Sequence, residues 1–283
     1  MEWARAKSIM IILFIVLNVF LLSRIIMEYG DEGTSKEAIL NMEKILKNRG
    51  VVVECKIPLY DSDTPRLVFG NGEFNIAVQV EELLGLKPGS NEKFEGEEKV
   101  FQNGHRKLIY SGPNRFTYLN EMPEDTVDIN DMNEAEKYLK KFLKDKKLDN
   151  STYVQDEMPE KQGDSVVFTY LEKYKGFLVY DNYLKAVVTE KGVTRLEVSH
   201  REIIRLSPEK ISDISTAHHV LLENFDGSDK VVITAIDLGY RDVGPQDHNN
   251  LQLVEQLPVW RIKIKESDRE LRWFGASDGK EIK

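Results

Sequence analysis

The chain has 283 residues, 41% hydrophobic and 9% aromatic, and its 48 acidic against 39 basic side chains leave a net charge of −9. That much apolar and aromatic material excludes a disordered stalk, and basic residues scattered among carboxylates speak against the concentrated positive face that nucleic-acid binding needs. With Cys55 as the single cysteine no internal disulfide can form, so any folded region must be held by packing alone.

The first element is the apolar run Ser8 to Met27. About 20 residues at about 1.5 Å each span a hydrocarbon core of about 30 Å. A removable signal peptide would end its apolar region at a small-residue site, whereas Leu21-Leu22-Ser23-Arg24-Ile25-Ile26-Met27 continues through large side chains. The run therefore reads as an uncleaved transmembrane anchor over residues 8–27, with a cleaved signal or a buried core helix as the alternatives. Arg5 and Lys7 precede it and Glu28, Asp31 and Glu32 follow, so residues 1–7 are expected in the cytoplasm and the rest outside, with Arg24 snorkelling to the interface. The expected location is the cell membrane, crossed once. Asn18 sits near the midpoint of the run, where an amide lacks water and is best satisfied by another transmembrane helix. Ile11, Phe14, Asn18, Leu21 and Ile25 recur at three- and four-residue steps and form one stripe, the candidate partner-binding surface. The competing reading is an amide that bonds its own helix backbone.

Three amphipathic helices follow, each succeeded by strand-like sequence. The first opens on Thr34-Ser35-Lys36-Glu37, carries Ala38, Ile39, Met42, Ile45 and Leu46 at helical spacing, and stops at Gly50. The second is capped by Asp131 or Asn133 and buries Ala135, Tyr138, Leu139, Phe142 and Leu143. The third is expected to begin at Ser207-Pro208 and to carry Ile211, Ile214, His218, Leu221, Leu222 and Phe225. Strand patterns cover 51–59, 66–80, 99–119, 165–171, 177–189, 193–202, 231–240, 251–264 and 270–276. Tyr174-Lys175-Gly176 and Glu190-Lys191-Gly192 are tight turns that fold three of these strands into an antiparallel meander. Helices alternating with runs of strands give an α+β class, helices packed on antiparallel sheets. The polar, proline-containing 120–125 segment is the expected internal boundary, dividing the exterior into residues 28–125 and 126–283.

No catalytic constellation is legible. His105, His200, His218, His219 and His248 form no H-E-x-x-H pair, and His218 falls on an apolar helix face as a packed core side chain would. The serines lack a G-x-S-x-G elbow, glycine-rich phosphate cradles are absent, and Asp128 to Asn133 fails as a calcium loop because Met132 takes a ligand position. Asn150-Ser151-Thr152 reads as a turn after the second helix, and Cys55 as a small residue of a strand. The chain is accordingly expected to be no enzyme and to use no cofactor or metal.

Met1-Glu2-Trp3-Ala4-Arg5-Ala6-Lys7-Ser8-Ile9 running into Leu17-Asn18-Val19-Phe20-Leu21-Leu22 resembles the start of YycI proteins. Ile236 to Tyr240, Leu257-Pro258-Val259-Trp260-Arg261-Ile262 and Phe274 to Gly279 are similar to the end of the same family. These are membrane-anchored partners of YycH and of the WalK/WalR (YycG/YycF) two-component system of low-GC Gram-positive bacteria, and their modules are PepSY-like. The resemblance implies a non-enzymatic regulator whose span lies beside those of a WalK-like sensor kinase, in complex with a YycH-like protein, adjusting cell-wall metabolism. A different class of function is a PepSY-like extracytoplasmic binding or inhibitory module for which the anchor is only a tether. The physical reading of the closing block is independent of family: Pro258 starts a strand, Trp260 and Ile262 share a face, and Asp278-Gly279 makes a turn.

Overall fold

In the computed structural model the described residues are 3, 7, 10–11, 13–22, 36–60, 64–70, 75–87, 92–149, 151–211, 214–227, 230–242, 253–265 and 270–282. After a helical run at 13–22 come helix α1 (Lys36–Asn48), strands β1 (Val51–Val53) and β2 (Thr64–Gly70), and a helical turn α2 (Ile76–Gln79) that continues as a π turn over Val80–Leu84. Strands β3 (Glu92–Glu95), β4 (Glu98–Asn103), β5 (Arg106–Tyr110) and β6 (Arg115–Asn120) precede helix α3 (Met132–Asp145). Then follow β7 (Tyr153–Gln155), β8 (Glu160–Gln162), β9 (Ser165–Tyr174), β10 (Phe177–Thr189), β11 (Gly192–Ser199) and β12 (Ile203–Ile211). Helix α4 (Ala217–Asn224) and strands β13 (Val231–Tyr240), β14 (Leu253–Gln256), β15 (Pro258–Ile264), β16 (Leu271–Gly275) and β17 (Glu281–Ile282) close the chain. The fold is mixed α+β and mostly sheet.

Fourteen strands form one sheet whose main path runs β17-β16-β15-β13-β10-β11-β6-β5-β4-β3, while β12-β2-β14 make a second, small sheet. Pairing is antiparallel except at two short parallel contacts, β1 with β13 and β10 with β13, which the expectation of purely antiparallel sheets did not include. The meander turns form as their sequences dictate. Lys175 and Gly176 both take positive φ, +47° and +96°, the pair of left-handed residues whose twist suits a two-residue hairpin.

Two large apolar cores lie along this sheet. The first joins Val80, Leu83 and Leu84 of the α2 segment, Leu108, Phe116 and Tyr118 of the hairpins, Ala135, Leu139 and Leu143 of α3, and Phe168, Leu184 and Leu196 of the meander. Asp131 caps α3 by accepting from the N–H groups of Asn133 and Glu134, a contact worth about 1 kcal/mol. The second core joins Leu46 of α1 and Val220 and Leu221 of α4 to Ile233, Ile236, Trp260, Ile262 and Phe274. Trp260 and Ile262 do share a face, with the Trp260 indole N–H donating to the Ser215 carbonyl at 2.8 Å. The division expected after Asp125 falls inside the first core, since Val127 and Ile129 belong to it and the Asp125 N–H donates to Lys191.

Several segments depart from their sequence patterns. Ser207-Pro208 does not open a helix: both lie in β12, where the pairing with β2 slips between Leu206 and Lys210. An irregular stretch of strand tolerates proline, which can donate nothing to a ladder, and the Ser207 hydroxyl accepts from the Glu209 N–H instead of capping a helix. Helix α4 begins later, with Thr216 as its N-cap. The 66–80 pattern ends as a strand at Gly70 and turns helical from Ile76, where Asn75 caps. The 99–119 pattern is three strands, not one, and 251–264 divides between the two sheets as β14 and β15.

Strand β10 spans both cores. Its first residues, Leu178 and Val179, pair with Gly239 and Tyr240 of β13, and after a slip between Val179 and Tyr183 its remainder pairs with β11. At the crossing point backbone meets backbone: a Cβ on Gly239 would collide with the Leu178 carbonyl oxygen and lie 2.8 Å from the Tyr180 ring. Gly239→Ala is therefore expected to lower unfolding stability by about 1–3 kcal/mol in urea titration; an unchanged midpoint would contradict this close approach.

Candidate functional site

The described part of the amino-terminal apolar run is helical over 13–22, and every described side chain from Met10 to Leu22 is exposed. Phe14 is 67% exposed, and Ile11, Leu21 and Asn18 of the predicted stripe are exposed with it, while Ile25 lies outside the described residues. The Asn18 side-chain N–H donates to the Phe14 carbonyl at 2.8 Å, so one amide donor is satisfied within its own helix. Among the described residues no helix is long and apolar enough to cross a membrane; the rest of the 8–27 segment lies outside them. A helix that is apolar all round is not stable in water by itself.

A second set of residues, which the sequence analysis did not single out, gathers at the slip in β10. Tyr180, Asp181 and Asn182 there each enter a different polar network. Arg261 of β15, 4% exposed, lies 4.7 Å over the Tyr180 ring and grips Asp156 through both terminal nitrogens, at 2.7 and 2.9 Å. It also donates to Asp237 at 2.8 Å, and Lys263 reaches Asp156 at 3.2 Å and Glu157 at 2.6 Å. Burial pushes the Asp156 carboxyl up, but the hydrogen bonds and charges of Arg261 and Lys263 outweigh it and hold the group below the usual carboxylate range. Both partners of this pair are charged at neutral pH, so it holds the β7–β8 segment to β15 and has no proton to exchange there.

Asn182, fully buried, donates to Glu172 at 2.6 Å and to the Arg201 carbonyl at 2.8 Å, and accepts from the Arg201 N–H. Thr152 donates to Glu172 at 3.1 Å and His200 stands 3.3 Å away. Burial raises the Glu172 pKa, yet the donors around it prevail and hold it low. Asp181 accepts from the Asp242 N–H at 2.6 Å and from Gln256 at 3.1 Å. Here burial dominates and the Asp181 carboxyl is raised.

The histidines do not converge. His218 is buried in α4 and its pKa is lowered by burial, as a core side chain requires; His219 lies 3.6 Å from Glu223 on the exposed side, and His248 is outside the described residues. Among the described residues no group of three or more His, Cys, Asp or Glu side chains could hold a metal ion. Asp128 accepts from the Asn130 N–H and Asp131 caps α3, so the calcium-like string does turn and capping work. Cys55 follows β1, half-buried, with its thiol raised chiefly by burial, the opposite of an activated nucleophile.

Residues 31–275 match the family described as "YycI protein". The chain belongs to the YycI family. This is a regulatory family associated with the YycG/WalK sensor-kinase system, which agrees with the residues that carried the resemblance. No curated protein matches the chain. Among solved structures it is similar to the Bacillus megaterium YpeB C-terminal domain, at 16% identity and a TM-score of 0.40, over 75% of this chain and 96% of that one.

The polar networks make stability acid-sensitive. Asp156 and Glu172 have depressed folded-state pKa values, so their contribution is full above the ordinary carboxylate value of about 4 and is lost as pH falls through the folded values, while raised Asp181 acts in the opposite sense. Asp156→Ala should cost about 3–5 kcal/mol at neutral pH, toward the lower end because Asp237 still faces Arg261. Urea titrations at pH 7 and pH 3 check both: the variant should lose less on acidification than the parent, and an equal loss would contradict this assignment.

Proposed function

We propose that this chain is a non-enzymatic, membrane-anchored regulator of a WalK-like sensor histidine kinase. Residues 8–27 lie across the cell membrane with 1–7 in the cytoplasm, and the segment makes lateral contact with the kinase spans through Ile11, Phe14, Asn18, Leu21 and Ile25. The folded exterior stands outside the membrane and pairs with a YycH-like protein, and the complex adjusts kinase output and through it cell-wall metabolism. Membership of a regulatory family supports the coarse reading. The observation that carries the finer one is the apolar helix at 13–22, whose described side chains are exposed.

Within lipid the Asn18 amide has one donor committed to Phe14, and its acceptor oxygen remains chemically suited to a neighbouring helix. Interhelical hydrogen bonds of this kind are worth about 0.6–2 kcal/mol, enough to choose register and partner but not to drive association alone. The packing of the stripe supplies the remainder.

The test is a kinase-dependent transcriptional reporter in cells carrying the full-length protein. Asn18→Leu should weaken the chain's association with the kinase about three- to tenfold and shift the reporter, and replacing 8–27 by an unrelated span of equal length should abolish the effect. Unchanged reporter output from the replaced span, with the protein still in the membrane fraction, would overturn lateral contact.

A further inference from the structure

The chain is acidic overall, with a net charge of −9, yet helix α3 turns a basic face away from the first core. Ala135, Leu139 and Leu143 are its buried side, and Lys137, Lys140, Lys141 and Lys144 are all exposed. At 3.6 residues per turn these four lysines fall within about 100° of arc, and Glu134, Glu136 and Asp145 lie outside it on either side. The arrangement works against the helix. Lys137 neighbours Lys140 and Lys141 at three- and four-residue steps, Lys144 neighbours the same two, and like charges at those steps are unfavourable.

Other lysines of the segment have structural work that these lack. Lys146 Nζ donates to the Glu82 carbonyl at 2.7 Å and Lys147 pairs with the Glu82 side chain, which ties the end of α3 to the π turn. Lys144 sits in the last turn, where a cation suits the helix dipole, but that reason does not extend to the others. Lys137 lies 3.5 Å from Glu134 and Lys140 2.6 Å from Glu136, with the two lysine side chains 78% and 63% exposed. Pairs so exposed are weak and exchange readily for another anion. Among the described residues Lys141 and Lys144 have no carboxylate within ion-pair distance.

We propose that this face of α3 binds a flexible phosphodiester polyanion outside the membrane, with successive phosphates held by Lys137, Lys140, Lys141 and Lys144. Within the basic arc the helix carries no apolar or aromatic side chain, because Leu139, Phe142 and Leu143 pack on the core. Nothing is therefore left to insert among lipid headgroups, as a helix lying on a membrane requires, and no ring is left to stack on a base. The ligand is read by charge alone. A chain with one charge on every repeat can set its phosphates against ammonium groups one helical turn, about 5.4 Å, apart, and binding is driven by release of its counterions. The external placement rests on the proposed function, whereas the binding itself does not need the kinase contact.

The experiment measures binding of a short fluorescent poly(glycerol phosphate) to the full-length chain in nanodiscs of zwitterionic lipid, by anisotropy over a salt series. Four contacts should give a slope of log affinity against log salt of about −3, and K141Q/K144Q should weaken binding about tenfold in low salt and halve the slope. K141R/K144R keeps the charge and should bind as the parent does, and so should K93Q/K185Q, which removes two exposed lysines from β3 and β10. K141Q/K144Q should melt no lower than the parent, since it relieves repulsion along the helix. Phosphatidylglycerol vesicles at equal phosphate concentration should not displace the polymer. No binding of the polymer, full binding by K141Q/K144Q, an equal loss in K93Q/K185Q, or displacement by the vesicles would each overturn the proposal, and none of these outcomes bears on the reporter test of the anchor.

Discussion

Strand β10 has to pass from one apolar core into the other without breaking, and the chain solves this with a local slip at Tyr180-Asp181-Asn182. A slip leaves backbone and side chains out of the ladder, and in a buried place each such group must find a partner or cost about 1–3 kcal/mol. Asp181 is answered by Asp242 and Gln256 and Asn182 by Glu172 and Arg201, while the Tyr180 ring lies under Arg261 and its buried hydroxyl has no hydrogen-bond partner among the described residues. Gly239 then lets β13 approach closely enough to join the sheet there. The two cores are thus welded at one polar knot.

This arrangement bears on function through what it leaves over. The buried acids and bases of the knot are committed to one another, Asp156 to Arg261 and Lys263, Glu172 to Asn182 and Thr152, so they serve architecture. Among the described residues the apolar side chains left exposed include those of the helix at 13–22. A regulatory protein acts by contacts, and exposed apolar surface of this kind suits one. Family membership supports the same coarse reading.

Much of the architecture was legible from local chemistry. Asp131, the Lys175-Gly176 turn, the α3 stripe and the shared face of Trp260 and Ile262 all follow from short-range rules and are found in place. The α+β class follows from the alternation of helical and strand periods. Where a local signal misled, a non-local pairing had overridden it: Ser207-Pro208 looks like a helix start, but pairing with β2 keeps it extended. The polar knot left a faint trace, an Asp-Asn pair inside an otherwise apolar strand, which marks irregularity in a ladder but not the partners that answer it. Arg261, at sequence distance from Asp156, could be seen only once the sheet had brought them together.

The proposed function rests on a directional contact of the apolar amino-terminal segment within the membrane. Its most direct test is to place a photo-cross-linking residue singly at each position from 10 to 25 of the full-length protein in cells and to record capture of the sensor kinase. The account predicts capture that peaks at 11, 14, 18, 21 and 25 and falls to background at 13, 16, 20 and 24. Equal capture around the helix, or none at any position, would contradict it.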